Sequence, residues 1–220
     1  MSATPPSDRA RVKRLPERSD YDKETIYSIL DEGLVCHVGI AVEDQPFVIP
    51  MNYARSGDKL IIHGSRGSRI MRALKAGAEV CVVVTHIDAL VLARSAFHHS
   101  VNYRSVVIFG KANVIEDDDK KVSVFEKFFE HVLPGRWNDV RKPNDKELAQ
   151  TALIEISLDE ASAKIRTGPP ADDQEDYDLP VWAGLVPFEF NKQPAVDDPK
   201  LKAGIEKPDY LEPRSRKREE

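Results

Sequence analysis

The chain has 220 residues, 41% of them hydrophobic and 31% charged, with a formal net charge of −5. This length provides one ordinary domain, or a domain with tails, large enough to build a core without disulfide or metal staples. The acidic balance argues against a duplex-DNA binder, no apolar run is long enough to span a bilayer, and Cys36 and Cys81 stand singly in apolar runs with no disulfide framework. The N-terminus lacks the apolar stretch of a signal peptide, so a cytoplasmic protein with reduced thiols is expected.

Residues 1–20 are polar and charged and read as a flexible arm. Asp22 can cap a helix running to about Glu32, with Ile26, Ile29 and Leu30 on one face and Gly33 as its stop. From Leu34 to Val42 apolar residues alternate with the period of a half-buried strand. Glu43-Asp44-Gln45 is the turn. The return strand runs from Phe47 to Ala54, and Pro50 marks it as an edge or a bulge. Ser56-Gly57-Asp58 turns the chain again, and Lys59 to His63 is a third strand. Ser68 can cap a second helix that ends before Gly77, with Ile70, Ala73 and Leu74 inward.

Glu79 to Thr85 and Val101 to Ile115 are apolar strands. Val122, Phe125, Phe129 and Val132 give a third helix its stripe, with Phe128 beside it. Ala152 to Ile156 and Ala163 to Arg166 supply late strands. Short strands joined by hairpin turns predict a closed or nearly closed antiparallel barrel with few helices. The domain proper spans residues 21–167. Residues 168–190 carry an apolar, aromatic segment around Trp182 that reads as docked on the domain. Residues 191–220 form an irregular, charged, Pro-interrupted tail.

The chemistry concentrates in Ile61-Ile62-His63-Gly64-Ser65-Arg66-Gly67-Ser68-Arg69. A strand enters a Gly-containing turn and then a helix start, where unpaired N–H groups and the helix dipole favour an anion such as phosphate. Ser65 and Ser68 add hydroxyls, and Arg66 and Arg69 add charge. The same arginines at three-residue spacing also suit the polar face of an amphipathic helix, and both readings stand. A second polar cluster, Phe97 to Ser105, opens the Val101 strand. Adjacent His98 and His99 would point to opposite faces, so no metal site is assigned. No nucleophile elbow, Walker loop or dinucleotide fingerprint is present.

Val48-Ile49-Pro50-Met51-Asn52-Tyr53, Ile62-His63-Gly64-Ser65, Ser68-Arg69, Asn102 to Ala112 and Asp176 to Gly184 together resemble the FMN-binding split barrels of the pyridoxamine 5'-phosphate oxidase-like superfamily, in its nitroimidazole-resistance or nitroimidazole-reductase branch. The resemblance implies a six-stranded antiparallel split β-barrel, a homodimer, and FMN in the cleft between subunits. Pro50, Met51, Asn52 and Tyr53 would follow the flavin ring, and His63, Gly64 and Ser65 the ribityl chain. Ser68 and Arg69 would hold the phosphate, and Tyr103, Arg104 and Ser105 would line the site. Trp182 either stacks on the ring or pins the tail as a core aromatic. The tail reads Val181-Trp182-Ala183-Gly184-Leu185 where pyridoxamine-phosphate oxidase carries a basic segment, which points away from that reaction.

The expected function is therefore an FMN-dependent oxidoreductase acting on a small molecule, such as a nitro compound, a quinone or an amine, with NAD(P)H as donor. Catalytic residues are not identified. A non-catalytic flavin carrier would use the same residues. A haem-binding split barrel is the third reading, with His37, His63 or His98 as axial ligand. Neither a nucleic-acid nor a membrane partner is expected.

Overall fold

A computed structural model describes residues 4–211. Its elements in chain order are β1 (Ser19–Asp20), α1 (Lys23–Glu32), β2 (Val35–Val42), β3 (Gln45–Ser56), β4 (Lys59–Ser65), α2 (Arg69–Lys75), β5 (Glu79–Leu92), β6 (Ser100–Ile115), α3 (Asp118–Val132), α4 (Arg136–Asp139), α5 (Asp145–Gln150), β7 (Thr151–Ser157), β8 (Ala161–Arg166) and β9 (Gly184–Pro187).

Six strands close on themselves in the order β6-β7-β4-β3-β2-β5, with β5 returning to β6 and every pair antiparallel. β6 serves two neighbours on one edge: residues 103–108 pair with β8 and residues 112–115 with β7. β1 extends the sheet beyond β8, and β9 adds to the far end of β5. This is the six-stranded split barrel expected from the sequence. Closure leaves no free edge for most of the ring.

The core is filled by the inward residues of each strand, among them Val38, Leu60, Ile62, Val82, Val106, Ile108, Ile154 and Ile156. α1 adds Ile26, Ile29 and Leu30, and α2 adds Ile70, Met71 and Leu74. Asp22 caps α1, its Oδ2 accepting from the Glu24 N–H at 2.9 Å. Gly33 ends α1 for a steric reason: a Cβ there would lie 2.3 Å from the Tyr53 hydroxyl oxygen. The β2–β3 hairpin turns through Glu43 and Asp44, both at positive φ, as a two-residue loop matched to strand twist.

The structure departs from the sequence reading in four places. β5 continues seven residues past Thr85, through a register shift between Ile87 and Ala89 that places a bulge at Asp88. α3 is rotated: Lys121, Val124 and Phe128 are buried, while Val122, Phe125 and Phe129 flank them half-buried. The Lys121 stem packs inward while its ammonium reaches Asp118 at 2.6 Å, so a lysine occupies an inner position. In α2 Met71 is buried and Ala73 only half-buried. Finally, residues 9–12 lie against the barrel. Ala10 is buried, the Arg9 guanidinium pairs with Glu160 and with Glu79 at 2.9 Å, and the Val12 N–H donates to the Tyr21 hydroxyl.

The tail docks through polar contacts and one strand. Asp172, its side chain inaccessible, accepts from the Arg94 N–H at 2.8 Å and its guanidinium at 3.1 Å. β9 then pairs with residues 89–92 of β5. Further on, the Tyr210 ring covers Gly135, and its hydroxyl accepts from Arg136 and donates to Asp139. Residues 212–220, expected as loose charged tail, lie outside the described residues. Among the described residues no helix is long and apolar enough to cross a membrane.

Candidate functional site

β3 and β4 are paired only from Tyr53 to Ser56 against Lys59 to Ile62. Beyond that point the strands part: β4 from His63 to Ser65 stays on β7, and β3 from Gln45 to Asn52 stays on β2. Each therefore presents an edge to the other across a split. Pro50 sits on that open edge, where its missing N–H interrupts no ladder, as the sequence reading required. A Cβ on Gly64 would lie 2.9 Å from Met71 Cε and 3.6 Å from Met51 Cε. Glycine thus keeps the β4 side of the split narrow at that level.

The split leads to the start of α2. The Ser68 N–H bonds to the Ser65 carbonyl at 3.0 Å, and Ser68 Oγ accepts from the Met71 N–H at 3.4 Å, capping the helix. Its hydroxyl proton stays available to an acceptor. The N–H groups of Arg69 and Ile70 have no acceptor among the described residues. Arg69 is exposed, its guanidinium carbon 4.5 Å from the centroid of the Phe47 ring on β3. Pro50, Met51 and Asn52 thus lie on the stretch of β3 that has parted from β4, and Gly64, Ser65, Ser68 and Arg69 lie on the β4–α2 side of the split. Arg66 lies apart from it, donating to the Ala149 carbonyl and facing Glu116.

Other expected site residues are engaged within the fold to differing degrees. The Tyr53 side chain is fully buried and its hydroxyl donates to the Leu30 carbonyl at 2.6 Å, so only its backbone reaches the split. Burial pushes that phenol's pKa well above its ordinary value. Arg104 bridges Asp88 at 2.8 Å and Glu32 at 3.0 Å, and these hydrogen bonds hold its pKa above the ordinary arginine value. Asp88 is the bulged residue of β5. Ser105 Oγ donates to the Lys164 carbonyl on β8, and Tyr103 is half-buried opposite Ile87 and Arg166. Trp182 is 66% exposed and lies against Gly184, where a Cβ would come within 2.7 Å of the indole. It is not a core residue of this chain.

The histidines sort by their hydrogen bonds. His86 Nε2 is held by the Ile29 carbonyl, His131 Nε2 by the Gly33 carbonyl, His99 Nδ1 by the Ser95 carbonyl and His98 Nε2 by Asp173. His37 is exposed on the outer face of β2, between Pro50 and Val83 in register. His63 lies between the rings of Phe125 and Phe128, at centroid distances of 5.9 and 4.6 Å. Its Nδ1 is buried without a hydrogen-bond partner among the described residues, and burial lowers its pKa. A neutral imidazole in an aromatic slot is the form that binds a metal. The rotated phase of α3, which brings Phe128 onto His63, is what the sequence reading missed.

Comparisons with known proteins agree with this geometry. Residues 22–165 match the family model described as pyridoxamine 5'-phosphate oxidase. The flavocytochrome Anf3 of Azotobacter vinelandii is 39% identical, with a TM-score of 0.89 over 94% of this chain and 96% of its own. The FAD and heme binding protein of Mycobacterium smegmatis is 34% identical, with a TM-score of 0.85 over 88% and 95%. A candidate 5-nitroimidazole antibiotic resistance protein of Bacteroides thetaiotaomicron shares the fold at 24% identity and a TM-score of 0.57, over 67% and 86%. The comparison with curated proteins finds no match.

Proposed function

Because the chain belongs to the pyridoxamine 5'-phosphate oxidase-like split-barrel family, we propose that it is a flavin-binding redox protein whose flavin lies in the split between β3 and β4. The observation that carries this reading is the parting of β3 from β4 beyond Tyr53, which sets the open β3 edge from Pro50 to Asn52 on one side of a split and Gly64, Ser65, Ser68 and Arg69 on the other. Backbone groups along the edge can hydrogen-bond a flat heterocycle, and the serine hydroxyl, free N–H groups and arginine suit a phosphate. A bound flavin would supply electron transfer, while the protein holds and orients it. FMN fits this split, and so does its adenylated form, FAD. A reduced nicotinamide is the proposed donor and a small oxidant the proposed acceptor.

Haem is a second group supported by a specific observation. Among the described residues four histidines each hold one ring nitrogen in a hydrogen bond, His37 and His63 hold none, and His63 stands half-buried beside Phe125 and Phe128. His63 is the proposed axial ligand, which sets aside His98, already held by Asp173. The relatives described as a flavocytochrome and as an FAD and heme binding protein support the same pairing of groups.

Two copies are proposed to associate through the end of the barrel that carries exposed Val35 and Ile87 together with Leu179, Trp182 and Phe188 from the tail. Large apolar side chains left exposed on the barrel and its tail support an interface there. The test is purification followed by spectroscopy and sedimentation. Flavin bands, a Soret band after haem loading that His63→Ala removes and His37→Ala keeps, and twice the chain mass are expected. A chain that takes up no flavin after reconstitution overturns the reading.

A further inference from the structure

Two parts of α2 serve two places. Its start, at Ser68 and Arg69, stands at the split. Its later residues Arg72 and Lys75 face the end of β6, the start of α3 and the first residues of β7. A small cavity of about 40 Å³ lies among these elements. Met71, Val114 and Ile154 supply its apolar lining. Met71 touches both places: it lines the cavity, and its Cε lies 2.9 Å from the position of a Cβ on Gly64. None of the residues assigned to the flavin lines the cavity.

The charge around the cavity is unbalanced. Four cations line it, Arg66, Arg72, Lys75 and Lys121, against one carboxylate, Glu116. Glu116 bonds to Lys75 at 2.8 Å and faces Arg66 at 3.6 Å, and these cations hold its carboxyl below the ordinary range. Lys121, its side chain only 5% exposed, bonds to Asp118 at 2.6 Å. Two carboxylates thus answer four cations. Arg72 is the one left over: its guanidinium is exposed and has no hydrogen-bond or ion-pair partner among the described residues. A planar guanidinium is a fork that fits a carboxylate. The interior offers an oxyanion little else. Thr151 Oγ1, the hydroxyl on the lining, is already spent on the Glu147 carbonyl at 2.9 Å. An anion that enters must therefore keep its charge at the Arg72 side and bring apolar surface to the rest.

We propose that this cavity binds a short-chain monocarboxylate, with its hydrocarbon end against Met71, Val114 and Ile154 and its carboxylate on Arg72. The volume sets the length. A water-sized group needs about 10–15 Å³ of such space, so the cavity takes about three, which is an acid of about three or four carbons with its head at the mouth. The site is separate from the split and does not rest on the flavin reading.

The test is calorimetric titration of the full chain at constant ionic strength with three probes: sodium butyrate, butyramide and sodium phosphate. Butyrate should saturate one site per chain. Butyramide has the same shape without the charge and should bind at least about tenfold more weakly. Phosphate has charge without an apolar body and should also bind at least about tenfold more weakly. Arg72→Gln, a change at an exposed position with no partner to lose, should weaken butyrate at least about tenfold and leave the melting temperature unchanged. Ala152→Leu, which narrows the cavity from a half-buried lining position, should abolish butyrate binding. Arg72→Gln decides the matter alone if Ala152→Leu does not fold. No saturation by butyrate overturns the proposal. So does butyramide binding equal to that of butyrate, which would make the cavity merely apolar. Phosphate binding tighter than butyrate, or butyrate binding indifferent to Arg72→Gln, overturns it as well. Each titration is run with and without added FMN. A chain that takes up no flavin but binds butyrate overturns the flavin reading alone, and one that takes up flavin but not butyrate overturns this site alone.

Discussion

The guanidinium of Arg69 lies 4.5 Å from the centre of the Phe47 ring, which ties the first residue of α2 to the open edge of β3. The side chain is held in place without a carboxylate partner among the described residues, so its charge remains available to a ligand. Arg69→Ala should weaken FMN by roughly ten- to a hundredfold, since a charge-assisted hydrogen bond is worth about 1.5–3 kcal/mol. Riboflavin, which has no phosphate, should bind both forms alike. Phe47→Leu should weaken FMN only a few-fold, because an exposed cation–π contact contributes about 0.5–1 kcal/mol. Fluorescence titration with the two flavins checks all of these, and equal loss of riboflavin with Arg69→Ala would make the arginine structural.

Arg104 is expected to act on stability rather than on flavin affinity. It joins the bulged Asp88 of β5 to Glu32 at the end of α1. Arg104→Ala leaves Asp88 and Glu32 without this shared partner and should lower stability by about 1.5–3 kcal/mol. Urea unfolding checks the first effect and flavin titration the second. A variant of native stability with weakened flavin would return Arg104 to the site wall.

His63 carries a pH dependence whose sign follows from its burial. Burial disfavours the imidazolium, so the folded-state pKa lies below the ordinary value. The neutral form is compatible with the fold, so His63 costs no stability above the unfolded pKa of about 6.5. Stability falls as the pH drops from there through the lowered folded pKa. The urea midpoint of the native chain should therefore fall between about pH 8 and pH 5 by more than that of His63→Phe. An identical fall in both would show that the ring does not titrate in its slot.

The tail should separate into two parts by hydrogen exchange. Asp172 is inaccessible, and burial works against its charge. Hydrogen bonds from the Arg94 N–H, the Arg94 guanidinium and the Ser95 N–H outweigh that and hold its carboxyl below the usual range. Truncation after Pro194 keeps this anchor and the β9–β5 ladder, and should leave exchange at residues 89–92 unchanged. Truncation before Asp172 removes both and should expose those amides. Equal protection in the two truncations would mean that β9 does not hold the end of β5.

Local signals sufficed for the elements whose reasons are local. The Asp22 and Ser68 caps, the period-2 run from Leu34 to Val42, the turn at Gly57 and the interruption at Pro50 each depend on a few neighbouring residues, and each was legible from sequence alone. A closed antiparallel barrel was expected from strand spacing, and its six-stranded split form from the family resemblance. Which side chains meet was decided by the tertiary structure. Tyr53 belongs to the motif expected to follow the flavin ring, yet its ring is in the core, where Gly33 leaves room for the hydroxyl to reach Leu30. The phase of α3 was ambiguous among Phe125, Phe128 and Phe129, since helical periodicity cannot choose between adjacent apolar positions. Packing against β3 and β4 chose Phe128 and so built the slot around His63. The bulge at Asp88 has no local signature, because it exists only through pairing with β6 and the pull of Arg104. Residue type and spacing determined the strands and the Gly-containing turn before α2, whereas long-range pairing decided where the barrel splits and which histidine nitrogen is buried without a hydrogen bond among the described residues.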